Sequence, residues 1–559
     1  MQLTEFNSFT SLILKYADTQ PTHLACAFVD KKNKVELTYQ ELAEKVKCRA
    51  SLLLEHDLVG QPVALIFPAG IEFVVDFIAC LYAGVIAVPL NLARNEKMFE
   101  RTSDVIVDAG IKAILTTANS SSFLTSSVAG ISTDVKELIW LDETNIAKTQ
   151  RRPLHQVKSD DLAFIQYTSG STSKPKGVMV SQGNIIANQK AIKEACNHDM
   201  GCILGGWLPQ FHDMGLVGHL IHPLYLGGTY VTMPAINFVQ NPRAWLELIS
   251  DYKINTSASP NFGFEHCTKF IADTDDLSDI NLSSWNVAIN GAEPINHKTM
   301  QLFSDKFAKC GFDAQSFFPS FGMAETTLFV SGGRFKTGML VQQLDKASFE
   351  LGRVNFEVAD NIKHIVSCGH ISPYFKVDIV DPETTLACAE NKIGEIWIRG
   401  DSVAQGYWNN TEKTKDDFSA QILGGDGVNC LRTGDMGFIY NNELYVTGRI
   451  KEMIIIRGRN IYPYDIEHTC NLDIRASGKT AVVAIDKHGV EAIGAIVEVK
   501  AETLMSIDEK IMEQDIKLAV METHNISIDE LKLVKSGSIP RTTSGKLRRG
   551  SAKALFCNT

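Results

Sequence analysis

Residues Tyr167 to Val178 read Tyr-Thr-Ser-Gly-Ser-Thr-Ser-Lys-Pro-Lys-Gly-Val. The run before them, Leu162 to Ile165, is short and apolar and predicts a buried strand feeding a loop. That loop gathers the hydroxyls of Thr168, Ser169, Ser171 and Thr172, the early Gly170, and Lys174 and Lys176. Glycine lets backbone N–H groups approach phosphate oxygens, while hydroxyls and ammonium groups add donors and charge. No Gly-Lys-Ser/Thr follows Gly170 at Walker spacing, so a Walker loop is excluded. A polar surface loop has the same composition. The rest of the chain must decide between them.

At 559 residues the chain exceeds one core and predicts at least two domains. Its 45% hydrophobic and 21% charged content is that of an ordinary globular protein. A net charge of -11 excludes a general nucleic-acid binder, which needs a basic face. Twelve cysteines without a CxxC pair indicate neither a zinc site nor a disulfide framework, and a reducing cytoplasm is expected. No secretory leader is read at the start. Phe73 to Leu90 is the most membrane-like stretch, but Asp76, Gly84 and Pro89 interrupt it, which predicts a buried helix and strand and no membrane span.

Upstream, Thr38-Tyr39-Gln40-Glu41 has capping-box spacing before a helix to about Leu54, and Val63 to Phe67 reads as a strand. Alternation of strands and helices predicts an α/β fold with parallel strands. Downstream, Trp207 to Gly215 sets His212 and Asp213 beside apolar residues, as at a pocket border; a structural histidine fits too. Phe262, Gly263 and Phe264 suit an alkyl tunnel or a packed core equally. Ala288 to Pro294 is a strand ending in a turn at Gly291, Ala292 and Glu293. In Phe318 to Thr327, Glu325 is a natural magnesium ligand beside a polyphosphate. Asp435, after the tight turn in Leu431 to Gly437, suits a ribose diol. Arg449 and Lys451 follow in Gly448 to Glu467, and Lys546 sits on a Thr/Ser/Gly loop in Ile539 to Arg549, where a basic solvated tail is the plainer alternative.

These stretches, in this order over nearly the whole chain, resemble the adenylate-forming superfamily of acyl-CoA synthetases, peptide-synthetase adenylation domains and luciferases. The resemblance is strongest to the fatty acyl-AMP ligases, through Leu-Thr-Tyr-Gln-Glu-Leu, Cys-Leu-Tyr-Ala-Gly-Val-Ile-Ala-Val-Pro and Ser257 to Cys267. It implies a large N-terminal domain of several β-sheet subdomains with flanking helices (1–450) and a small mobile α/β domain (451–559). Lys546 would then be the catalytic lysine, Lys451 the hinge, and Thr168 to Thr172 with Lys176 the phosphate site. Gly291, Ala292, Glu293, Phe321, Gly322, Met323, Asp435 and Arg449 would hold adenine and ribose. Phe262 and Gly263 would border the acyl pocket, His212 would position the phosphates, and Glu325 with Thr168 would serve Mg2+. Residues 331–367 look like the insertion with which that branch restrains its small domain and disfavours CoA.

The implied activity is ATP-dependent activation of a fatty acid to acyl-adenylate with loss of pyrophosphate. Acyl transfer to the phosphopantetheine thiol of a separate acyl carrier protein would follow. An acyl-CoA synthetase differs only in acceptor, and a non-catalytic nucleotide-binding regulator is the alternative of another class. Three positions depart from the pattern: Phe321 for the usual tyrosine, Ser173 for glycine, and Gln182 for histidine.

Overall fold

The computed structural model describes residues 8–31, 33–93, 96–121, 124, 138–142, 155–168, 175–358, 361–487, 490–506, 508–541 and 546–557. Thr38 opens the helix Tyr39–Glu55: its hydroxyl accepts the Glu41 N–H, and the Glu41 carboxylate accepts the Thr38 N–H at 2.9 Å. That exchange satisfies donors that every helix start leaves over. Among the described residues six strands form one sheet, in the order Ile139–Leu141, Ala113–Leu115, Pro62–Phe67, Ile86–Asn91, Leu162–Thr168 and Lys176–Ser181. All neighbours are parallel except the last pair, which is antiparallel.

The apolar run at Phe73 is the helix Ile71–Ala83, buried along nearly its whole length. Asp76 is tolerated there because Arg49 meets it with two hydrogen bonds, Nη2 donating at 2.7 Å. Burying a lone carboxylate would cost several kcal/mol, so a charge inside an apolar helix implies such a partner. Among the described residues no helix is long and apolar enough to cross a membrane.

A second sheet runs Phe375–Val380, Gly394–Gly400, Leu431–Tyr440, Glu443–Arg449, His370–Ile371, Phe329–Gly332, Phe317–Gly322, Val287–Asn290, Thr256–Ser259, Ile203–Gly206, Thr229–Thr232, Leu24–Asp30 and Asn33–Thr38. From Leu24–Asp30 to Phe317–Gly322 neighbours are parallel, and beyond that they are antiparallel. The carboxyl ends of parallel strands open into a crevice, the usual ligand position in such sheets. Four of the stretches singled out above leave from those ends.

After Arg449 the chain builds a three-stranded sheet of Ala476–Lys487, Val490–Val499 and Glu530–Lys535, packed on helices Pro463–Asn471 and Glu509–His524. Its apolar core, including Ile454, Ile466, Val482, Ile493, Met512 and Leu531, draws every buried member from this part of the chain. Within 331–367, strands Val341–Asp345 and Ile362–Val366 pair antiparallel around the helix Lys346–Glu350. This hairpin touches the C-terminal part through Phe349, whose ring centre lies 5.1 Å from that of Tyr462, and through polar groups. Lys346 donates to the Thr523 carbonyl at 2.8 Å, Lys363 pairs with Asp465 at 2.5 Å, and Arg459 pairs with Glu350 at 2.7 Å.

Candidate active site

A continuous cavity of about 1600 Å³ lies where the carboxyl ends of the parallel strands face the C-terminal part of the chain. Thr168, Lys176, His212, Phe262, Ala292, Glu293, Phe321, Gly322, Met323, Glu325, Asp435, Arg449, Lys451 and Lys546 all line it. Ser169, Gly170, Ser171 and Thr172 lie outside the described residues. Gly291 and Gly263 stand behind the wall. A Cβ on Gly291 would lie 2.8 Å from Ser320 Oγ, and one on Gly263 would lie 1.9 Å from Ser259 Oγ. Both are positions of close packing.

Thr168 and Lys176 face each other as the last register pair of their strands. The Lys176 ammonium lies 4.9 Å from the centre of the Tyr407 ring. Burial lowers its pKa, while Asp417 and Glu325 pull it back. The Tyr407 hydroxyl reaches Glu325 Oε1 at 3.0 Å and Asp417 Oδ2 at 3.2 Å. Burial raises the pKa of Glu325, and the tyrosine hydrogen bond opposes that rise. Two carboxylates converging beside a lysine form a site for cationic and phosphate chemistry, and neither Tyr407 nor Asp417 was singled out in the sequence. An aromatic in Gly-Tyr-Trp reads equally as core.

Asp213 caps a short π-helix, Met214–Ile221, by accepting the Met214 N–H at 2.7 Å, and it holds His212 Nδ1 at 2.6 Å. Burial opposes its ionisation, yet His212, Lys546 and the Met214 amide together hold its carboxyl below the usual range. Glu293, whose pKa burial raises, accepts the Phe262 N–H at 2.5 Å, tying the turn after Val287–Asn290 to the start of the helix Asn261–Phe270. Asp435 pairs in register with Arg449, whose Nε donates to it at 2.9 Å. The preceding Gly434 has φ +71, a conformation that side chains rarely adopt. Its N–H donates to Glu395 at 3.0 Å, which braces the turn.

Lys546 exerts its charge on Asp213, Glu293 and Asp435. Its position is set from both sides. Arg541 and Leu547 bridge across the loop, and Arg549 binds Glu467 at 2.7 Å and also Glu452, next to Lys451. The cavity also runs inward between two walls. One is a row across the parallel sheet, Ala258, Ile289 and Phe318, which are register neighbours. The other carries Ile192 and Cys196 from the helix Gln182–Cys196, with Gly218 and His219 from the π-helix. That channel escaped the sequence reading, since apolar periodicity does not distinguish a wall from a core.

Among the described residues no group of three or more His, Cys, Asp or Glu could hold a metal ion. The half-buried Glu325, joined through Tyr407 to Asp417, fits a Mg2+ that takes one or two carboxylates and draws its remaining oxygens from substrate and water.

Comparison with known proteins agrees with this geometry. Residues 14–408 match the family described as AMP-binding enzyme. The chain is 36% identical to the medium-chain-fatty-acid–[acyl-carrier-protein] ligase JamA of Moorena producens, over 100% of this chain and 96% of that one. It is 33% identical to the putative fatty-acid–CoA ligase fadD25 of Mycobacterium tuberculosis, over 98% and 97%. Among solved structures it resembles a fatty acyl-adenylate ligase from L. pneumophila in complex with acyl adenylate and pyrophosphate, with TM-score 0.77, 33% identity and 99% and 96% coverage. A match of this extent, on a cavity built at the carboxyl ends of parallel strands, makes the chain a member of the AMP-binding enzyme family.

Proposed function

We propose that this chain uses ATP to convert a fatty acid to its acyl-adenylate and then passes the acyl group to the phosphopantetheine thiol of a separate acyl carrier protein. The observation that carries this reading is Lys546, lining one cavity with Glu325 and Asp435 and acting electrostatically on Asp213 and Asp435. A carboxylate oxygen bonds to the α-phosphorus, the bond to the bridging oxygen breaks, and pyrophosphate leaves with the electron pair. Two anions must meet, so positioning and charge neutralisation dominate.

Lys546 bridges the carboxylate and the α-phosphate. Lys176, Thr168 and the 169–172 segment hold the outer phosphates. Asp435 and Arg449 take the ribose, and the Gly291–Glu293 turn with Phe321, Gly322 and Met323 borders the adenine. His212, fixed by Asp213, orients the reacting end. Mg2+ on Glu325 would supply charge neutralisation along the polyphosphate. Residues 1–450 and 451–559 act as two bodies with Lys451 as hinge; the separate core of the second supports this reading, and its contact with the 331–367 hairpin combines ion pairs with the Phe349–Tyr462 packing. The name of the Moorena relative supports a carrier-protein acceptor, and that of the mycobacterial relative supports CoA.

Both acceptors are decided in one experiment. Straight-chain fatty acids with ATP and Mg2+ should give acyl-adenylate by mass spectrometry and stoichiometric pyrophosphate. The preloaded enzyme is then offered CoA or a holo carrier protein, and transfer to the carrier alone is the expected result. Rapid formation of acyl-CoA would replace the carrier reading, and no fatty-acid-dependent pyrophosphate would end the adenylation reading.

A further inference from the structure

Among the described residues, His219 differs from the other buried histidines. His198 uses both ring nitrogens, on His222 and Thr256, and His222 uses both, on His198 and Gln189. His524 does the same with Lys346 and Thr469. His219, 2% exposed, uses one. Its Nε2 accepts the Ala258 N–H at 3.0 Å. A backbone amide can only donate, so this contact fixes the tautomer: Nε2 carries the lone pair and the proton sits on Nδ1. Nothing among the described residues accepts from that Nδ1–H. Burial alone lowers the His219 pKa, to about 3, so the ring is neutral at neutral pH.

The position of the ring says what could take that proton donor. His219 lines the cavity on the channel wall that also carries Gly218. Ala258 and Thr256 share a sheet face, and Thr256 is two residues, about 7 Å, farther from the mouth at the carboxyl end of the strand. At that inner level His198, bonded to Thr256, and Leu204, its register neighbour, line the cavity. The His219 ring therefore stands partway along the channel, short of its inner end. Ile192, Ala258, Ile289 and Phe318 around the channel are apolar. A plain alkyl chain strips water from the Nδ1–H and offers it nothing, and a buried donor left without a partner is costly. An oxygen on the chain restores the bond. A hydroxyl would bring a proton that the apolar lining does not accept, whereas a ketone oxygen only accepts.

We propose that His219 selects a fatty acid bearing a ketone oxygen on an inner carbon of its chain, by donating its Nδ1–H to that oxygen. This rests on the adenylation reading and narrows its substrate to an oxo-acyl class. The same imidazole closes the sheet: among the described residues Thr256–Ser259 meets Ile203–Gly206 in register at Thr256 and Leu204 alone, and His219 supplies the acceptor that the Ala258 N–H would otherwise lack. The backbone thereby holds the ring in the orientation that turns its proton away from the strand.

The test offers the full chain, with ATP and Mg2+, straight-chain acids of equal length, one plain and the others with a ketone at each inner carbon in turn, and scores the adenylates by mass spectrometry. Wild type should favour at least one oxo isomer over the plain acid by about tenfold or more, the scale of one buried hydrogen bond. His219→Phe keeps a ring without a donor, and the ratio should fall to near one. His219→Gln, whose amide can accept from Ala258 and still donate, should keep part of it. The wild-type ratio judges the proposal even if His219→Phe fails to fold. Plain acids taken as well as every oxo isomer overturn it, as does a preference that survives His219→Phe; hydroxy acids favoured over oxo acids overturn the choice of a ketone. Calorimetry of the same acids without ATP separates this from the adenylation reading. An oxo preference in binding, with no acid-dependent release of pyrophosphate, sinks the adenylation reading and leaves the His219 contact standing.

Discussion

In the proposed reaction a single ammonium group serves both a carboxylate and a phosphate, and Lys546, on the cavity lining, is the group assigned to it. Replacing it with alanine should slow single-turnover adenylate formation by about 10²-fold or more, the scale of losing one preorganised transition-state donor. Binding of an adenylate analogue should change far less, and near-normal adenylate formation would remove Lys546 from the chemistry. Tyr407 is the sharper case, because its hydroxyl lies between Glu325 and Asp417. Tyr407→Phe keeps the ring beneath Lys176 but leaves the two carboxylates without their shared donor. Loss of such a buried charged hydrogen bond is worth about 1–3 kcal/mol. The KM for Mg-ATP should rise and that for fatty acid should not; identical ATP kinetics would show that the phenol is only packing.

Strands, turns and helix ends explain which of these residues could be read in advance. Glu293 and Glu325 follow strands of the parallel run, whose polar ends open into one crevice, whereas Asp435 follows a tight glycine turn in an antiparallel strand and pairs there with Arg449. Asp76 was legible as core because the run around it is too interrupted to span a membrane, and Arg49 supplies the partner that burial demands. Tyr407 and Asp417 were illegible because what places them at the cavity is contact between segments far apart in the chain, as in the Tyr407–Glu325 hydrogen bond. The inward channel was illegible for another reason. Ile192, Cys196, Ala258 and Ile289 have the same apolar pattern whether they face one another or face an acyl chain. Gly218 tests that distinction, since it lines the channel and a Cβ there would already come within 3.1 Å of Leu328 Cδ2. Gly218→Leu should shift the preferred substrate toward shorter fatty acids, scored by mass spectrometry of adenylates from a mixed pool. An unaltered chain-length profile would place the acyl chain elsewhere.

Over the whole molecule, pH acts on stability through histidines buried in the large body and through carboxylates at the cavity. His198 donates to or accepts from His222 Nε2 at 3.0 Å and Thr256 Oγ1 at 2.7 Å, and His222 Nδ1 meets Gln189 at 2.6 Å. Burial lowers the His198 pKa from 6.5 to about 4, with Asp199 pulling weakly upward, and burial takes His219 to about 3. His222 falls well below its ordinary value through burial and then the charges of His198 and Lys193. The unfolded chain protonates the His198 imidazole near pH 6.5, whereas the folded chain resists until about pH 4. Between those values the unfolded state binds more protons, so the contribution is full above pH 6.5 and is lost as pH falls toward 4. For His198 alone the loss is on the order of 3 kcal/mol. Half-buried Glu325 and Glu293 and buried Asp435 work the other way, because their raised pKa values favour the folded state in acid. Comparison with His198→Gln separates the two, since glutamine keeps polar atoms but has no proton to gain. Urea midpoints across this range should fall more steeply for wild type than for the variant, so that any advantage of wild type at neutral pH shrinks in acid. Parallel curves would mean that His198 titrates normally and that its burial is not maintained in solution.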